Sequence, residues 1–161
     1  MAAPLQQPDP ALSLFDRLID LDPESREEAP QSTWEQMREF QSALARDLTA
    51  LLNTRRAAED FDRRYQEAAN SLLTFGIIDF TSYNLKSGPE QEQLRRSIER
   101  AIRQFEPRLA RVSVSIEEPD PRAPALRLQI SAVLRTPTAE PVLFPITVHR
   151  DSRRLVVSGG A

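Results

Sequence analysis

Apolar positions recur along this chain with two different periods, and the change from one to the other divides it. Near the start, Leu14, Phe15, Leu18 and Ile19 share one helical face within residues 12–21. Residues 22–31 follow, with Pro23, Pro30 and several charges, and read as a linker. A short amphipathic helix on such a tether either folds back on its own core or docks in a partner's groove, and both readings stay open. Ser32-Thr33-Trp34-Glu35 then has the spacing of a capping box. Trp34, Met37, Phe40, Leu44, Leu48, Leu51 and Leu52 step by threes and fours, which predicts a long core helix with Asn53 as its stop.

Residues 54–66 are dense in charge and predict an exposed irregular segment. Ala68 to Phe75 reads as a short apolar helix stopped by Gly76, followed by a loop that runs to Gly88. Ser87-Gly88-Pro89-Glu90 repeats the capping-box spacing, with proline in the first turn. Leu94, Ile98, Ala101, Ile102 and Phe105 form the buried face of this second long helix, Arg96, Arg100 and Arg103 line another, and Pro107 ends it.

From Arg111 the period becomes two. Val112, Val114 and Ile116 alternate, then Leu126, Leu128 and Ile130, then Val142, Phe144, Ile146 and Val148, with a last run at Leu155-Val156-Val157. The separators are short and turn-rich, so the strands predict an antiparallel meander packed on the amphipathic helix. Helices first and strands second is the α+β signature. Pro145 lies inside the third strand and has no N–H to give, so its position should face an open edge or a bulge.

Composition narrows the function more than the fold. At 161 residues the chain suits one domain: a flexible N-terminal segment over residues 1–31 and a single α+β domain over 32–161. There is no cysteine and one histidine, His149, which leaves no thiolate or His-rich metal site and no cysteine nucleophile. Four glycines provide no phosphate-cradling loop, and no Asp-rich calcium loop occurs. Paired carboxylates for glycoside hydrolysis remain conceivable, yet Glu117-Glu118 and the helix acids read as solvated ion-pair members. We therefore assign no catalytic residue, cofactor or metal. No apolar run approaches a membrane span and the first ten residues lack a signal-peptide pattern, so a cytoplasmic protein without direct membrane insertion is expected.

Net charge is −3, unevenly spread: the first thirty residues hold seven acids and two arginines. Arginines 95, 96, 100, 103, 108 and 111 form the densest basic region. Glu90, Glu92, Glu99 and Glu106 interleave with them and no aromatic platform accompanies them, so no nucleic-acid partner is expected.

At Phe105-Glu106-Pro107-Arg108-Leu109 an amphipathic helix, Leu-Arg-Arg-Ser-Ile-Glu-Arg-Ala-Ile, runs into an alternating strand, Val-Ser-Val-Ser-Ile. This resembles the family that joins the type VI secretion baseplate protein TssE to the baseplate wedge protein of contractile-tailed phages. Leu14-Phe15-Asp16-Arg17-Leu18 is similar to that family's N-terminal segment, and Asp47 to Arg55 to the end of its long helix. Thr74-Phe75-Gly76-Ile77-Ile78-Asp79-Phe80 resembles its Tyr-Gly-Leu-Pro-Asp-Phe loop, with Ile78 where proline is common. The likeness covers about residues 12–117.

The resemblance implies a small α+β domain like the interlocking domain of sheath subunits. It implies a non-enzymatic place in the wedge beside TssF, TssG and TssK, presenting a platform for the TssB–TssC sheath, in a baseplate docked at the inner membrane complex. Some relatives carry a lysozyme-like label, so a peptidoglycan hydrolase is one alternative; a protein-binding adaptor of another pathway is the other. Candidate partner-binding residues are Phe15 and Leu18 on the N-terminal helix, Glu106, Pro107 and Arg108 at the helix exit, and Leu155, Val156 and Val157 as a pairing edge. Glu106 sits where the helix dipole disfavours an anion, so it needs a cation. That cation belongs either to a partner protein or to Arg108, which would merely stitch helix to strand.

Overall fold

The computed structural model describes Leu18 and residues 32–56, 64–117, 125–136, 139–149 and 151–159. Phe15 and most of the N-terminal segment lie outside the described residues. Helix α1 spans Thr33–Asn53 and opens with the expected capping box. The Ser32 hydroxyl accepts from the Glu35 amide at 3.3 Å, and Glu35 accepts from the Ser32 amide at 2.8 Å. Phe40, Leu44, Leu48, Leu51 and Leu52 of its stripe are buried. Trp34 is not: it stands exposed on the first turn with the Arg38 guanidinium 4.7 Å from its ring centre. Buried packing starts about one turn later, with Met37 partly covered.

Arg55 makes a parallel bridge with Ile77, tying part of the expected irregular segment to the chain after Gly76. Gly76 has φ +102°, and a β-carbon there would lie 2.3 Å from the Thr54 carbonyl oxygen. Both the turn and the close approach exclude a side chain. The helix expected over residues 68–75 is instead two pieces, one turn α2 at Gln66–Ala69 and a 3-10 turn at Leu72–Thr74. Ser71 donates to the Ala68 carbonyl and accepts from the Leu73 amide, and Thr74 donates to the Ala69 carbonyl. Hydroxyls that compete for backbone groups in this way interrupt a helix.

Helix α3 spans Gly88–Phe105 and buries Leu94, Ile98, Ala101 and Ile102. Its expected capping box is not made. The Ser87 side chain caps nothing, and Glu90 accepts from the Asn84 amide at 3.1 Å, fastening the preceding loop instead. Strands β1 (Leu109–Ile116), β2 (Ala125–Leu134), β3 (Pro141–His149) and β4 (Leu155–Val157) form one antiparallel sheet in chain order. The register slips between Ala110 and Ser113, where Arg111 has φ 50°. The fold is thus α+β, as the order of periods predicts.

One face of the sheet carries Val112, Val114, Leu128, Ile130, Phe144 and Ile146 into a single core with α1 and α3. Helix α1 packs against β4 and α3 against β1. The other face presents Ser113, Ser115, Arg127, Ser131, Leu143 and Pro145. Among the described residues no helix is long and apolar enough to cross a membrane.

Candidate functional site

The exit from α3 turns most of its charge inward. Glu106 is 5% exposed although it carries a carboxylate. The Arg108 guanidinium grips it with two bonds, Nη2 to Oε2 at 2.6 Å and Nε to Oε1 at 2.7 Å, and the Arg108 amide adds a third at 3.1 Å. Nη2 also donates to Asp47 on α1 at 2.7 Å. Glu106, then Asp47, hold the Arg108 guanidinium above its ordinary pKa. The cation that Glu106 requires is therefore two residues away, and the pair stitches α3, β1 and α1 together. Only Pro107 of the three is exposed. A buried, paired charge of this kind adds rigidity; removing one partner leaves the other stranded, typically costing about 3–5 kcal/mol. Asp47, absent from the sequence candidates, flanks the buried Leu48, and that flanking position was its one signal.

Strand β4 differs from expectation. Leu155 and Val157 are buried and only Val156 is exposed, at 43%. Three of their four outward backbone groups are already taken. The Asn53 side-chain amide donates to the Leu155 carbonyl at 2.7 Å and accepts from its N–H at 3.1 Å. The Thr49 hydroxyl accepts from the Val157 amide at 3.2 Å. Asn53 reads as a helix stop in the sequence; its larger task is to close a sheet edge. Val156 belongs to the hydrogen-bonded register facing β3, since the flanking bonds join His149 to Arg154 and Ser158 to Pro145.

The opposite edge is closed in the same manner. Arg103 donates twice to the Val112 carbonyl, at 3.1 and 2.7 Å, and Arg95 donates to the Val114 carbonyl at 3.1 Å. Glu99 accepts from the Val114 amide at 3.2 Å. Only the first half of β3 runs past its neighbour. Its positions facing that side are Pro141, Leu143 and Pro145, so two of the three have no N–H to offer. Pro145 lies on an internal strand, at the point where pairing with β4 stops.

Leu18 is 76% exposed. No cluster of three or more metal-ligating side chains occurs among the described residues.

The described residues form a two-layer α+β domain with a charge-clamped helix exit and side-chain-closed sheet edges. The chain belongs to the family of baseplate wedge protein gp25, whose sequence model matches residues 38–139, from the first turns of α1 to the β2–β3 connection. This is the family of TssE, and its members are structural baseplate components. No curated protein and no solved structure matches the chain.

Proposed function

We propose that this chain is the TssE-like wedge subunit of a type VI secretion baseplate, a structural part without enzymatic activity. The observation that carries the reading is the family match, which includes the Glu106-Pro107-Arg108 corner and the helix residue that clamps it. In this reading the subunit sits in the cytoplasm, in a baseplate docked at the inner membrane complex. It contacts TssF, TssG and TssK and offers a platform on which the TssB–TssC sheath starts. The stitched corner supplies a fixed angle between α1, α3 and the sheet, which a part that transmits sheath geometry needs. Leu18, with its neighbour Phe15, is the proposed docking point on the larger subunits.

Co-expression of the tagged chain with TssF, TssG and TssK tests this directly. Recovery of a stoichiometric wedge complex is expected, weakened by Phe15→Asp with Leu18→Asp. Absence of any complex, together with normal sheath assembly in cells lacking the chain, overturns the proposal. Purified protein should leave peptidoglycan intact; lysis abolished by mutating one carboxylate would make it a hydrolase instead.

A further inference from the structure

A groove of about 600 Å³ runs along α3. One wall is the helix stripe Pro89, Glu92, Gln93, Arg96, Ser97 and Arg100. The other is Arg56 with the segment Ile78 to Tyr83. This second wall is held in place at both ends. The Arg56 amide donates to the Ile77 carbonyl at 2.9 Å, and the Ile77 amide donates to Thr54 at 3.0 Å. The Ile78 amide donates to the Ser97 hydroxyl at 3.1 Å, which pins the loop to the helix. The groove is therefore a built feature whose width is set by hydrogen bonds.

Its charges are unequally occupied. Both carboxylates that line it are engaged: Asp79 lies 3.4 Å from Arg55 and accepts from the Thr81 amide. Glu92 makes 2.7 Å contacts with both Arg95 and Arg96. The Arg56 and Arg100 side chains have no hydrogen-bond or ion-pair partner among the described residues, and the Arg56 Nε is buried without an acceptor. Two guanidinium groups thus line one groove without a carboxylate partner among the described residues. An unmet buried donor is costly, and a carboxylate fits the fork with two bonds.

We propose that this groove binds an acidic segment of a partner protein in extended form, with carboxylates on Arg56 and Arg100. The helix wall, residues 89–100, extends about 17 Å, the reach of about five extended residues. Ile78, Tyr83 and Pro89 give an apolar surface for a side chain between the carboxylates. A nucleic-acid strand is disfavoured, because two separate guanidinium groups beside Asp79 and Glu92 match isolated carboxylates rather than a continuous phosphate backbone.

The test uses a fluorescein-labelled heptapeptide of alternating Glu and Leu, with labelled oligothymidine as the competing class, read by fluorescence anisotropy at low ionic strength. The full chain should bind the peptide more tightly than the oligonucleotide. Arg56→Glu with Arg100→Glu should weaken peptide binding about tenfold or more, whereas Arg127→Glu on the outer sheet face should not. Arg100 is exposed, so Arg100→Glu alone keeps the test valid should the double variant misfold; it should still lose several-fold in affinity. Equal binding by wild type and a folded Arg100→Glu variant, or tighter binding of oligothymidine, overturns the proposal.

Discussion

Replacing Asn53 by alanine removes one side chain that holds both backbone groups of Leu155. The bonds of 2.7 and 3.1 Å are lost together, and Leu155 is fully buried. Each unmet buried backbone group typically costs about 1–3 kcal/mol. Partial access of water to the helix end argues for the lower half of that range. Alanine returns a few tenths of a kcal/mol as the better helix former. The expected net loss is therefore about 2–3 kcal/mol. Asn53→Asp should be worse than alanine. It keeps the acceptor for the Leu155 amide but sets a carboxylate against the Leu155 carbonyl, at the negative end of α1. Urea unfolding gives the energy, provided the m-value stays constant. Hydrogen exchange at the Leu155 and Val157 amides gives the location, because only the β4 edge should lose protection. Asn53→Ala within about 0.5 kcal/mol of wild type, with Leu155 still protected, would show that water replaces the side chain and that the edge is not closed by it.

Gly76→Ala should destabilise by about 1–3 kcal/mol from backbone conformation alone, with more from the clash at Thr54; thermal melting measures it, and Gly88→Ala, where a β-carbon meets nothing within 4 Å, is the control. Glu92 is held at about 2 by Arg95 and then Arg96, against an ordinary 4.5. Its folded pKa is depressed, so its contribution is complete above about 4.5 and disappears as pH falls toward about 2. The difference in stability between wild type and Glu92→Gln should shrink across that window; a difference that stays constant through it refutes the assignment.

The strands were legible because period two reports burial directly: every expected inward residue from Val112 to Val148 faces the core, with only Ile116 half-buried. Trp34 was misread because a helical stripe carries no mark of where the rest of the body begins. The break after α2 was written in Ser71 and Thr74, whose hydroxyls compete with the helix, but apolar content outweighed them. Glu106 shows how far electrostatics reaches: the dipole mismatch called for a cation, and Arg108 is that cation. Asp47 lies 61 residues from Arg108, and no local pattern announces such a contact. The closure of the β4 edge was illegible for the same reason, since Asn53 acts on a residue 102 positions away.

The two edges of the sheet are closed by different chemistry, and that makes the domain directional. At β4 the closing groups are a neutral amide and a hydroxyl. An incoming main chain presents the same kinds of donor and acceptor, so exchange conserves the number of bonds and turns on side-chain torsions that flip rapidly. At β1 the closing groups are Arg95, Glu99 and Arg103, already paired among themselves at 2.7 Å. A strand arriving there must displace charged groups and leave them to find new partners or water, at an energy that neutral main-chain bonds do not return. Opening the sheet to an incoming strand therefore costs less at β4 than at β1.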